Sequence, residues 1–180
     1  MTYRPARAAA LLIFLLAALA RAGHAACTDV PAPGVNWRGC LLDGMDLRGA
    51  DLSGADLKAA SFKRADLSEA VLQGARGRRA KFVSARLVGA DLSRGEFKLA
   101  DFTSADLTGA LLVAADLRGA RFFKAVLRNA DLTEARLEKA DFLHADLSGA
   151  RWVDGKTICA EGSVGRCRAR PAKRAAAARH

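Results

Sequence analysis

The 180-residue sequence predicts a solenoid, a chain wound from one short repeat into stacked coils, and three observations predict it. Large residues recur at every fifth position from Leu42 to Trp152 without insertion or deletion. Fifteen Leu, six Phe (Phe62, Phe82, Phe97, Phe102, Phe122 and Phe142), Gly77 and Trp152 fill these 23 central slots. The residue two before a slot is Ala in 20 cases, with Cys40, Met45 and Gly95 as the exceptions, and the residue immediately before it is Asp in 11, as in Ala50-Asp51-Leu52 and Ala145-Asp146-Leu147. Five matches neither the helical nor the strand period, so each repeat is expected to form one side of a coil.

These Ala-Asp-Leu steps resemble the pentapeptide-repeat family, whose motif is A-(D/N)-L-x-x, over about two thirds of the chain. The resemblance implies an all-β, right-handed quadrilateral β-helix with four repeats, hence 20 residues, per coil and about six coils in all. A second periodicity agrees: Phe62, Phe82, Phe102, Phe122 and Phe142 recur at intervals of 20 and would stack as one aromatic column.

Coils stacked about 4.8 Å apart place identical positions above one another, so only a small residue fits at the alternate inward position. Ala is expected at the corners, with Leu and Phe filling the axis. Each buried Leu or Phe contributes roughly 1.5 to 3 kcal/mol against the entropy of ordering the chain. The outward positions, including the Asp before each slot, are expected to be free to vary. Gly77 leaves one slot empty, and Phe97 stands one coil later on the same side, two residues after Gly95. The Phe97 ring is therefore expected to fill the space those glycines vacate, because a dense core tolerates neither voids nor excess volume.

The ends read differently. Arg4 and Arg7 precede an apolar run from Ala8 to Ala20, followed by Arg21-Ala22-Gly23-His24-Ala25-Ala26. This layout predicts a signal peptide over residues 1–26, cleaved near Ala25 or Ala26, and hence a periplasmic or secreted protein. The apolar run of 13 residues is too short for a comfortable membrane span. Ala25-Ala26-Cys27 also resembles the end of a lipobox, but His24 stands where Leu is expected, so a lipoprotein anchored through Cys27 is the lesser alternative.

Four cysteines in an exported chain suggest two disulfides. With about six coils between the pairs, only Cys27 with Cys40 and Cys159 with Cys167 are close enough to join, and the same separation argues against a shared metal site. Trp37 accompanies the first pair and Trp152 the second. The segments Trp152–Cys159 and Gly162–Cys167 look like the terminal cap of exported pentapeptide-repeat proteins. The expected organisation is a cap over 27–41, the β-helix over 42–152, a cap over 153–167 and a basic, disordered tail over 168–180.

The net charge of +10 is unevenly distributed. Three Arg lie in the signal region and five Lys or Arg after Cys167. The 19 acids all lie between Cys27 and Cys167, where 21 Lys and Arg oppose them, leaving about +2. Within the resemblance, topoisomerase inhibition by DNA mimicry needs a strongly acidic rod in the cytosol, so that reading and a nucleic-acid partner are disfavoured. Cations are nevertheless patterned, because Arg38, Lys58, Arg78, Lys98 and Arg118 recur at one-coil spacing on the side of Leu57, Gly77, Phe97 and Leu117. Arg76, Arg79, Arg136 and Lys139 lie on or beside it, with Asp56, Glu96 and Asp116 in the neighbouring row. Such a ladder suits a linear anionic polymer of the envelope. The simpler and preferred reading is that those neighbouring acids relieve repulsion within the ladder and that its exposed cations only keep the rod soluble and its edges unpaired. The Ala- and Arg-rich tail suits contact with an anionic membrane surface or a neutral extension.

No nucleophile stands with a base and an orienting acid, His144 occupies an outward position, and no phosphate-binding glycine loop is present. No catalytic residue, cofactor or metal is therefore expected. The sequence reads as a non-catalytic exported scaffold or interaction protein of unknown partner, with electrostatic binding of anionic envelope polymers as the alternative.

Overall fold

The computed structural model describes residues 27–169. The predicted signal peptide and all but the first two residues of the predicted tail lie outside them. Parallel bridges join each residue before a slot to the residue 20 further on, from Asn36 with Asp56 to Asp131 with Arg151. Four files result: side 1 through Asn36, Asp56 and Arg76, side 2 through Leu41, Ser61 and Lys81, side 3 through Asp46, Asp66 and Arg86, and side 4 through Asp51, Val71 and Asp91. The four-sided coil of 20 residues is as expected.

Among the described residues each side is a single bridge rather than a longer strand. Side 1 shows why. Asp56 N–H donates back to Val35 O at 2.9 Å, Leu57 N–H and Ala59 N–H donate forward to Arg76 O and Arg78 O at 2.9 Å, and Ala60 N–H closes a turn on Leu57 O at 3.0 Å. The turn consumes the remainder of the five residues. Its third residue takes φ between 55° and 62° at 14 non-glycine positions, including Arg79, Leu99 and Lys139. Left-handed backbone disfavours L residues, most of all β-branched ones. None of the 14 is β-branched, and at 12 of them, all but Lys139 and His144 in the last coil, a forward hydrogen bond from that residue helps to hold the turn.

The interior follows the repeat. Slots from Leu52 to Leu132 are fully buried wherever they carry a side chain, and Ala lines the corners at 0 to 1% exposure through most of the rod. Phe62, Phe82, Phe102, Phe122 and Phe142 form the expected column, with adjacent centroids 4.9 to 5.1 Å apart and planes within 5° of parallel. Phe97 meets this column edge-on, 6.0 Å from Phe82 and 6.1 Å from Phe102. A Cβ on Gly77 would lie 2.5 Å from Phe97 Cε1, and one on Gly95 would overlap the opposite edge of the ring. Both glycines therefore make room for one aromatic side chain, as their absence of volume predicted.

One expectation is corrected. The Asp before the slot is not free: all 11 accept a hydrogen bond from the backbone N–H two residues on, at 2.8 to 3.3 Å. Where that residue is Ser53, Ser68, Thr103, Thr108, Thr133 or Ser148, its hydroxyl donates to the same oxygen. These are Asx turns, which satisfy a turn N–H that the coil-to-coil ladder does not use. Glu96, one methylene longer, makes no such bond among the described residues.

The same contacts set an acid sensitivity. The Arg48 side chain and backbone N–H hold Asp46 at about 2, and the Thr157 hydroxyl and N–H do the same for Asp154. Hydroxyl and backbone donors from Ser53 and Ser68 lower Asp51 and Asp66 below the ordinary carboxylate value of 3.8. A carboxyl lowered by folding stabilises the fold above its unfolded value and loses that contribution as pH falls through the folded one. The melting temperature should accordingly be flat above about pH 5 and fall from about pH 4 towards pH 2. Thermal melts across that range check this, and a rise on acidification would contradict it.

Both ends carry the expected disulfides, Cys27–Cys40 with Cα atoms 5.4 Å apart and Cys159–Cys167 with Cα atoms 4.9 Å apart. At the first end Gly34 N–H donates to Ser53 O at 2.7 Å, and Trp37 packs on Phe62 at 6.4 Å. At the second, the chain returns antiparallel over sides 3 and 4: Leu147 N–H donates to Ser163 O at 2.8 Å and Gly149 N–H to Cys159 O at 2.9 Å. Sides 1 and 2 of the last coil remain partly open, so Leu137 and Phe142 are only partly buried. The expected boundary before the tail is also corrected. Arg168 and Ala169 belong to the cap: Ala169 bridges Cys159, and Arg168 O accepts from Ala160 N–H at 2.6 Å. Composition at these residues gives no sign of backbone pairing.

Candidate anion-binding face

Side 1 carries the basic ladder, and backbone pairing fixes its register. Gly39 N–H donates to Lys58 O, Ala59 N–H to Arg78 O, Arg79 N–H to Lys98 O and Leu99 N–H to Arg118 O, at 2.9 to 3.1 Å. Arg38, Lys58, Arg78, Lys98 and Arg118 are thus brought together in one file, as their spacing predicted. The next rung is Glu138, whose carbonyl accepts from Gly119 N–H at 2.9 Å.

The rungs are not electrostatically equal. Arg38 donates to Asp56 Oδ2 at 2.8 Å, while Arg76 at 3.6 Å and Lys58 at 4.0 Å approach the same oxygen. Burial pushes the Asp56 carboxyl up, but the hydrogen bonds from Arg38 and the Lys58 backbone, with the charges of both side chains, more than offset it and hold the group below its ordinary value. Arg118 grips Asp116 with Nε to Oδ1 at 2.8 Å and Nη2 to Oδ2 at 2.5 Å, and that hydrogen bonding lowers Asp116 in turn. Among the described residues, Arg78 and Lys98 at the centre have no ion-pair partner. Neither do Arg79 and Lys139 in the adjoining turn file, Lys81 on side 2 or Arg136 beyond the ladder. Glu96, expected to relieve repulsion here, makes no ion pair among them either. The face is therefore unevenly paired: Arg38, Lys58 and Arg76 share the one carboxylate of Asp56, Arg78 and Lys98 pair with none among the described residues, and only Arg118 is matched one to one, a distinction that spacing alone cannot make.

Leu99 was not anticipated. It occupies the turn file with Ala59, Arg79, Gly119 and Lys139 and is 41% exposed. The available signal was a large apolar residue at a repeat position otherwise held by small or polar residues. His144 lies away from this face, edge-on to Phe123 at 5.7 Å. The four cysteines are consumed by the two disulfides, and among the described residues no group of three or more His, Cys, Asp or Glu is placed to hold a metal ion.

The family described as Pentapeptide repeats matches with eight copies, over residues 34–63, 60–98, 80–119, 100–138 and 115–151. No curated protein matches the chain. Among solved structures, trypsin-treated QnrB1, a plasmid-mediated fluoroquinolone resistance protein, shares 27% identity over 67% of this chain and 63% of its own, with a TM-score of 0.52. A pentapeptide repeat protein from the cyanobacterium Cyanothece 51142 shares 27% identity over 67% and 88% of the two chains, with a TM-score of 0.46. Another, from the Arabidopsis thaliana thylakoid lumen, shares 26% identity over 72% and 85%, with a TM-score of 0.30.

Proposed function

Because the chain belongs to the pentapeptide-repeat family, we propose that it is a non-catalytic interaction rod of about six right-handed coils, exported to the periplasm or beyond, which binds an anionic polymer of the envelope along side 1. The supporting observation is the unpaired centre of the ladder. A surface whose cations served only solubility would gain by pairing them locally, as Arg38 and Arg118 do. Arg78 and Lys98 instead stand exposed or partly exposed, one coil apart, with Arg79 beside them. A linear polyanion can contact several such rungs at once, which compensates for weak individual contacts. The two disulfides fit an oxidising, extracytoplasmic compartment. Fluoroquinolone resistance is a property of QnrB1, and its transfer here by DNA mimicry is disfavoured by a rod that is close to neutral overall and basic on this side.

Co-sedimentation with lipopolysaccharide, anionic vesicles and peptidoglycan at rising salt tests this reading. Binding should weaken roughly tenfold as salt shortens the screening length from about 30 Å to about 10 Å. Arg78→Glu with Lys98→Glu should reduce it by at least about tenfold at low salt while leaving the melting temperature within a few degrees, since both side chains are outward. A chain ending at Cys167 separates any contribution of the basic tail. Equal binding by the doubly reversed variant would reject side 1 as the surface.

A further inference from the structure

We propose that the turn file at Leu99 is a binding site for a single anionic amphiphile, its head held by Arg79 and Lys81 in one hollow and its apolar chain laid across Leu99 towards the stems of Lys98 and Lys139 in the other. The proposal rests on the reading of side 1 as an anion-binding face and names a ligand class for its centre. Leu99 is an exposed apolar residue in left-handed backbone, with φ of 61°, where the chain elsewhere uses small or polar residues. Its side chain lies along the surface over Gly119: a Cβ there would stand 2.8 Å from Leu99 Cδ2. The missing side chain at Gly119 therefore lets Leu99 lie down rather than project.

Two hollows flank this leucine. One, of about 320 Å³, is bounded by Arg79, Lys81, Asp101 and Arg121. The other, of about 370 Å³, is bounded by Lys98, Arg118, Gly119, Glu138 and Lys139. Asp101 is engaged with Arg121 at 3.8 Å and Arg118 with Asp116, so the cations left without ion pairs among the described residues are Arg79, Lys81, Lys98 and Lys139. Against these four stands one carboxylate, Glu138, at the far end of the second hollow. Each volume lies at the lower end of the ligand-pocket range of about 300 to 1,000 Å³, which suits one chain rather than a bulky molecule. A purely anionic polymer gains nothing from an exposed leucine, and a purely apolar ligand would have to strip water from the cations. A molecule with both parts satisfies both surfaces, and the lysine stems extend the apolar floor beside Leu99.

Calorimetric titration of the disulfide-bonded protein with dodecyl phosphate below its micelle concentration tests the site. Dodecyl maltoside, inorganic phosphate and anionic vesicles serve as comparators. Dodecyl phosphate is expected to bind at least about tenfold more tightly than inorganic phosphate or dodecyl maltoside. Leu99→Ser should bring its affinity to within about threefold of inorganic phosphate. That variant should fold normally, because Ser84 and Ser104 hold the same turn position at φ of 56° and 55°. An unchanged melting temperature confirms that only the site was altered. Wild-type affinity in Leu99→Ser, or binding to vesicles without binding to the monomeric amphiphile, would overturn the proposal. Binding of anionic polymer without dodecyl phosphate would overturn it while leaving the reading of side 1 intact. Binding of neither would remove both.

Discussion

Gly77→Ala is expected to destabilise the wild-type chain and to stabilise, or leave unchanged, a chain that already carries Phe97→Leu. In the native rod the new methyl would lie 2.5 Å from Phe97 Cε1, inside a core where Phe97 and its neighbours are completely buried. The ring cannot move aside freely, because Phe82 and Phe102 hold its edges at 6.0 and 6.1 Å. Overpacking of this kind costs about 1 to 3 kcal/mol. Phe97→Leu alone should lower stability by leaving the space over Gly77 and Gly95 unfilled, and Phe97→Ala should cost about 3 to 5 kcal/mol. Combining Phe97→Leu with Gly77→Leu and Gly95→Ala restores the ordinary repeat at all three positions and should recover most of the loss. Denaturant melts of the set measure the coupling directly. Additive effects, or a Phe97→Leu chain as stable as wild type, would show that the ring is not filling the glycine space.

Removing either disulfide should fray the rod from that end. Cys27 and Cys40 are 13 residues apart, and Cys40 belongs to the buried core beside Trp37. On the chain-entropy account a loop of this size contributes about 3 kcal/mol, and the loop of eight between Cys159 and Cys167 somewhat less. Contacts in a solenoid run mainly between neighbouring coils, so the loss is expected to be local. Cys27→Ala with Cys40→Ala should raise hydrogen exchange in the first coil, around Leu42 and Leu47. Exchange near Leu87 and Phe102 should change little. The second pair should act on sides 3 and 4 of the last coil, where the returning chain supplies the acceptors for Leu147 and Gly149. Uniform exposure of all coils would mean that the rod unfolds as one unit and that its caps have no local role.

Much of this was legible because the repeat is strict. Spacing alone placed Phe62 to Phe142 in one file, Arg38 to Arg118 in another and Phe97 over Gly77, since one 20-residue coil repeats without slippage from Asn36 to Arg151. The Asx turns were less visible. The triplets Asp51-Leu52-Ser53 and Asp106-Leu107-Thr108 are plain in the sequence, but their meaning depends on a backbone N–H left over by the coil-to-coil ladder. Pairing within the basic file was legible only in part: Asp56 and Asp116 pair with it as their neighbouring row suggests, and, among the described residues, Glu96 does not. Asp56 and Glu96 hold equivalent positions, yet one gathers Arg38, Lys58 and Arg76 while the other gathers none among the described residues.

Periodicity therefore carried the coil, its core files and the partners of its cysteines, because each of these depends on which residues stack and stacking follows from residue number. The reach of the second cap over two sides, the inclusion of Arg168 and Ala169 within it, the uneven ion pairing of the basic file and the hollows around Leu99 came from three-dimensional placement. These depend on side-chain length and rotamer, and on where a non-repeating segment turns back. Atoms brought within about 3 Å by such details form bonds that a five-residue count does not encode.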